Sequence, residues 1–248
     1  MRKILIFLTL LLPLCDMLAQ NTPDEFLAMI PQLPDNLCIQ KHEAIAEWAD
    51  ALTPLSDRMQ ELLAEEKSAG EEAVAKGQPN MALFNPDNES AVERYRTTMA
   101  GSEELQMNLT AAIEKISAEY IEGKSRVTIK YHEPIHDLHV ELSEAQASGK
   151  NTTALRERIR VIETEECREL AVVRRDFLTA YREFLQKNMP SMIRINELTD
   201  ELNRMTYESY EFKTRYGFWM SSLHAFIDEL AHLYDDVPGS GSDMEGYR

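Results

Sequence analysis

The run His132-Glu133-Pro134-Ile135-His136 has the residue types and spacing of a zinc site. Two imidazoles one helical turn apart can hold a Zn²⁺ ion, and the glutamate between them can take a proton from the ion's water; the chemistry would be metal-assisted hydrolysis. Three features count against it. Pro134 falls inside the helix that must keep the two rings in register. No third ligand has a distinctive place, since Glu163, Glu165 and Glu166 belong to a generally Glu-rich stretch. No strand pattern supplies the sheet that usually flanks such a motif helix. His139 extends the stripe, but one helix cannot bring three histidines to one ion. The plain reading is a polar flank beside the apolar seam of Tyr131, Ile135, Leu138 and Leu142. His132 and His136 remain the metal candidates; no ligand, catalytic residue or cofactor is assigned.

A second spacing recurs. Glu133 with His136, and Glu229 with His232, both read Glu-x-x-His, by which four-helix bundles hold a pair of iron ions. If helical hairpins close near 149–150 and 189–190, Glu229 stands about 16 residues, or roughly 24 Å, from the level of Glu133. One metal pair cannot use both. The same register brings Glu166 and Cys167 near His132 and His136, and Glu211, Arg215 and Ser209 to that level. A buried polar layer of Glu166, a histidine and Ser209 is expected there, fixing helix register. No Gly-rich phosphate loop and no G-x-S-x-G elbow occurs.

The elements that must position these residues read as helices throughout. The chain has 248 residues, 44% hydrophobic and 28% charged, with only 9 Gly and 10 Pro. The first helix is expected from about 35 to 77, with Ile45, Trp48, Leu52, Leu55, Met59 and Leu62 on one face and Pro54 kinking or restarting it. A loop follows to 87, then a short helix over 89–99 and a break at Gly101-Ser102. The second long helix covers 102–147 with the stripe Leu105, Leu109, Ala112, Ile116, Tyr120, Val127, Tyr131, Ile135, Leu138, Leu142. A third covers 153–188 with Leu155, Ile159, Ile162, Glu166, Leu170, Val173, Phe177, Ala180 and Phe184. The last is expected as one rod from Pro190. Its seam is Ile195, Leu198, Leu202, Met205, Ser209, Phe212, Tyr216, Trp219, Leu223, Phe226, Leu230 and Leu233, with steps of three and four. About 44 residues make roughly 65 Å. Short connections at 148–152 and 189–191 make consecutive helices antiparallel. The fold class is all-α: an elongated antiparallel helical bundle of coiled-coil-like long helices.

The ends have other jobs. Residues 1–19 read as a signal peptide: Arg2 and Lys3, the apolar run Ile4 to Leu14, and Met17-Leu18-Ala19 before the cut. Residues 20–35 are a Pro-rich, extended N-terminal arm with an apolar patch over 26–30; 36–235 form one helical domain; 236–248 are a disordered tail. The protein is expected to be exported, to the periplasm or outside the cell, with no membrane span once the signal is removed. Losing Arg2, Lys3 and Asp16 takes the net charge from −17 to −18, which excludes nucleic acid and anionic lipid as partners. Cys38 and Cys167 are then the two remaining cysteines, and an oxidising compartment favours a disulfide between them. Asn88, Asn108 and Asn151 begin glycosylation triplets, which matter only in a eukaryotic secretory route. The functional expectation is an exported helical protein acting by contact, as a scaffold or partner-binding module, through a protein partner or self-association. The alternative is a metal-binding or zinc-dependent hydrolytic protein using His132, Glu133 and His136.

Overall fold

The structure, a computed structural model, describes residues 27–30, 42–85, 87–208, 210–213 and 217–235. The described chain is all-α apart from one two-residue strand pair. Its elements are α1 (His42–Lys76), β1 (Gln78–Pro79), α2 (Met81–Phe84), α3 (Glu89–Ala147), α4 (Thr153–Thr206), β2 (Tyr207–Glu208) and α5 (Gly217–Asp235). At 59 and 54 residues, α3 and α4 run about 90 and 80 Å.

The seams expected of α3 and α4 are the faces that meet. Leu109, Val127, Tyr131 and Leu138 on α3, and Ile159, Phe177 and Phe184 on α4, are buried. The two helices pair antiparallel from Arg94–Glu201 at one end to Glu141–Arg158 at the other. Tyr120 and Phe177 meet midway, ring centres 4.6 Å apart. Below that level α1 and α5 join them. Leu52, Met59 and Leu62 of α1, Leu185, Met192 and Ile195 of α4, and Met220, Leu223 and Ile227 of α5 form one core with Leu109 of α3. Above it, among the described residues, the core is built from α3 and α4 alone. The molecule is therefore a four-helix head with a two-helix arm, residues 121–176, that closes at 148–152.

Four expectations are corrected. The break at Gly101-Ser102 is absent: α3 passes through, because Ser102 is buried, accepts from Gln106 Nε2 at 3.2 Å, and packing outweighs a helical glycine's cost of about 1 kcal/mol. The hairpin at 189–190 is absent as well. Pro190 lies inside α4, held between buried Leu185 and Met192, with the Asn188 side chain donating to the Phe184 carbonyl. The 190–233 rod does not exist; α4 ends at Thr206 and α5 starts at Gly217. Its seam residues are still buried on both sides of the break, Ile195 and Leu198 before it, Trp219, Leu223, Phe226 and Leu230 after. Finally, 27–29 are helical rather than extended. Leu27 and Ile30 enter the head core, and Arg182 donates to the Leu27 carbonyl.

The break has tertiary causes. β1 and β2 pair antiparallel, Gln78 with Glu208 and Pro79 with Tyr207. Asn80 donates from its backbone to the Thr206 carbonyl and from its side chain to the Met205 carbonyl, 2.8 and 3.0 Å. These bonds take up carbonyls left unpaired at the end of α4. No described helix is long and apolar enough to cross a membrane. Residues 1–26, Cys38 and the tail from 236 lie outside the described residues.

Candidate functional site

The sequence motif is on the arm. Val127, Tyr131 and Leu138 point α3 into α4, so His132 and His136 fall on the outer, exposed face with Ile129 and Val140. Their rings lie roughly parallel with centres 6.3 Å apart. A tetrahedral zinc bonded to both would draw the centres to about 5 Å, given Zn–N near 2 Å. Glu166 of α4 is close enough to feel the charge of His132. Burial, then the Glu163 carboxylate, push the Glu166 carboxyl above its ordinary value, and His132 draws it part of the way back. His139 meets Glu163 at 3.6 Å. Among the described residues no group of three or more His, Cys, Asp or Glu is placed to hold a metal ion.

Among the described residues the expected polar layer is not assembled: His132 and His136 are exposed. Because α4 is continuous to Thr206, the 40 residues after Glu166 carry the chain about 60 Å away before Glu211 is reached. Ser209 and Arg215 lie outside the described residues. The two Glu-x-x-His motifs are also apart. Glu229 acts on Tyr181, whose phenol is pushed up to about 12 by burial and then by that carboxylate. The 15 residues of α4 between the levels of Glu166 and Tyr181 span about 22 Å.

What fixes the arm is a small network. Tyr131 donates its hydroxyl to Glu169 at 2.7 Å, and Lys130 donates to the same oxygen. The two donors hold the Glu169 carboxyl below its ordinary value. Gly123 faces Val173 so closely that a Cβ there would stand 2.9 Å from a valine methyl.

Two constellations in the head escaped the sequence reading. One is the start of α5. Both Glu66 carboxylate oxygens accept from the Gly217 amide at 3.0 Å, and Asn196 accepts from Phe218 at 2.8 Å. Beside this cap lies an open, mostly apolar groove of about 680 Å³ walled by Leu63, Gly70, Val74, Phe212 and Ser221. The other joins three side chains. Ser56 Oγ lies 3.5 Å from His224 Nε2, and His224 Nδ1 lies 3.2 Å from an Asp228 carboxylate oxygen. The only sequence signal was His224 and Asp228 four apart on an apolar helix, which puts them on one face. Ser56 is 168 positions away.

No protein-family model, curated protein or solved structure matches the chain.

Proposed function

We propose that the protein is exported and acts by contact, as a helical scaffold or partner-binding module, with the α3–α4 arm as its contact element. The observation that carries this reading is the arm itself. A two-helix projection of about 40 Å beyond the head offers surface rather than a cleft. Its outer face holds Ile121, Ile129 and Val140 exposed, at 65%, 73% and 44%. Its charge supports the same reading. Residues 121–176 hold 10 Lys and Arg against 11 Asp and Glu, while the whole chain stands at −17. The arm is thus near-neutral within a strongly acidic chain, so approach of another protein surface meets little repulsion there.

The test is a triple variant, Ile121→Asp, Ile129→Asp and Val140→Asp. These side chains face solvent, so helix content and melting should be unchanged. Self-association in sedimentation equilibrium, or in-cell cross-linking from a photoreactive residue at position 136, should fall at least tenfold. Unaltered association and cross-linking would sink the reading. Export is checked by N-terminal sequencing of secreted material, expected to begin near Gln20. We also propose the Cys38–Cys167 disulfide, supported by these being the two cysteines that remain once residues 1–19 are removed, in a compartment that favours oxidation. A non-reduced peptide map should contain the linked pair.

A second reading keeps His132 and His136 as a two-point clip for a divalent transition ion, supported by their parallel, exposed rings. Stoichiometric zinc in protein purified without chelator, lost in His136→Ala, would favour it over contact alone.

A further inference from the structure

Ser56, His224 and Asp228 form an ordered relay that contact does not require. The hydroxyl meets Nε2, and the carboxylate meets Nδ1 of the same ring. That order has chemical content. An imidazole takes a hydroxyl proton only through an unprotonated nitrogen, and a carboxylate at Nδ1 selects the tautomer that leaves Nε2 free. Serine is a weak nucleophile until such a base is beside it. Two helices build the arrangement. α5 carries the ring and the carboxylate one turn apart, and α1 carries the serine. Leu52 and Met59 beside Ser56, and Leu223 and Ile227 beside His224, are almost wholly buried, so packing holds the two backbones in place. The His224 side chain is 16% exposed and that of Asp228 48%. The ring is therefore mostly but not wholly enclosed, and Ser56 beside it is half-buried.

We propose that Ser56 is a base-activated nucleophile toward activated acyl esters, with His224 as its general base and Asp228 as the residue that positions the ring. Ser56 Oγ bonds to the ester carbonyl carbon as its proton passes to His224 Nε2. The adduct collapses, the bond to the leaving alcohol breaks, and that alcohol takes the proton from His224. Water then cleaves the acyl-serine by the same route and restores the hydroxyl. The backbone amides around Ser56 belong to the interior of α1, so they are spent within the helix and provide no oxyanion hole. The acceleration is that of a positioned base, about 10²–10⁴-fold, and the substrate class is esters with good leaving groups rather than amides. The Ser56–His224 contact is at the long end of hydrogen-bond reach and shortens as the proton moves.

The experiment treats the full chain with a fluorophosphonate, which forms a P–O bond to an activated serine and releases fluoride, and maps the adduct by peptide mass. The expected result is one adduct on the Ser56 peptide. His224→Gln should slow its formation at least 100-fold. Asp228→Asn should slow it at least tenfold, and Asp228→Glu should restore most of the rate. His224 is mostly enclosed, so each variant's helix content and melting are read alongside. Ser56→Ala, which removes a single oxygen, gives an independent measure: the burst of p-nitrophenol from p-nitrophenyl acetate should match the protein concentration in the native chain and vanish in this variant. No adduct on Ser56 in the folded native protein, or an equal rate in folded His224→Gln, would overturn the proposal.

Discussion

Glu66 and Gly217 stand 151 positions apart in the chain, yet both oxygens of the Glu66 carboxylate accept the Gly217 amide at 3.0 Å. A negative side chain thus sits at the positive end of α5, where helix amides lack partners. Gly217 has φ +37, and a Cβ there would run into the Asn196 carboxamide that caps the next amide. The start of α5 is set by two other helices.

Glu66→Ala should therefore destabilise the protein by about 1–2 kcal/mol, the worth of a helix cap with a dipole contribution. Gly217→Ala should cost more, since strain and collision add. Urea unfolding followed by circular dichroism measures both. A Gly217→Ala variant as stable as the native chain would contradict the capping geometry.

Gly123→Ala should change sign with its neighbour. In the native background the new methyl meets Val173, a side chain with little rotamer freedom, and overpacking of about 1–3 kcal/mol exceeds the gain of about 1 kcal/mol from removing a helical glycine. In a Val173→Ala background only the gain remains. A double-mutant cycle in urea is the measurement.

Glu169 should make the arm acid-sensitive. Its carboxyl is held below its ordinary value by hydrogen bonds from Lys130 and then Tyr131. The stabilisation is present above the unfolded carboxylate value, about 4.3, and is lost as pH falls through the lower folded value. Tyr131→Phe should lower the melting temperature at pH 7 and flatten its decline below about pH 4. Thermal melts from pH 7 to 2.5 compare the two chains.

Glu166 has the opposite sign. Burial and then Glu163 raise its folded value, so the protonated form folds better, and stability is lost as pH rises through that value. Glu166→Gln should raise the melting temperature at pH 7, with the advantage fading below about pH 4 as the native carboxyl protonates. The same series of melts reads it.

Much of the fold was legible. The stripes Leu109, Val127, Tyr131, Leu138 and Ile159, Phe177, Phe184 repeat at helical spacing because each must bury a continuous face, so type and facing could be read along the chain. The helix ends at Gly77 and Ser148 were legible for the same local reason. The site was less so. His132 and His136 drew notice through a short motif, and the structure turns them outward. Ser56, His224 and Asp228 drew none, since a serine in a helix has no local signature of its partner.

The sequence by itself determined that the chain is helical and which residues face inward, because periodic burial is a local property of a helix. Only the tertiary structure decided where two helices stop. Pro190, the stronger local breaker, is carried through by buried neighbours on both sides. Tyr207, Glu208 and Tyr210 to Phe212, none of them a glycine or proline, lie in the break instead. Its energy comes from partners far away: Gln78 and Asn80 at the end of α4, Glu66 and Asn196 at the start of α5. That folded-back α5 is also what brings His224 to Ser56.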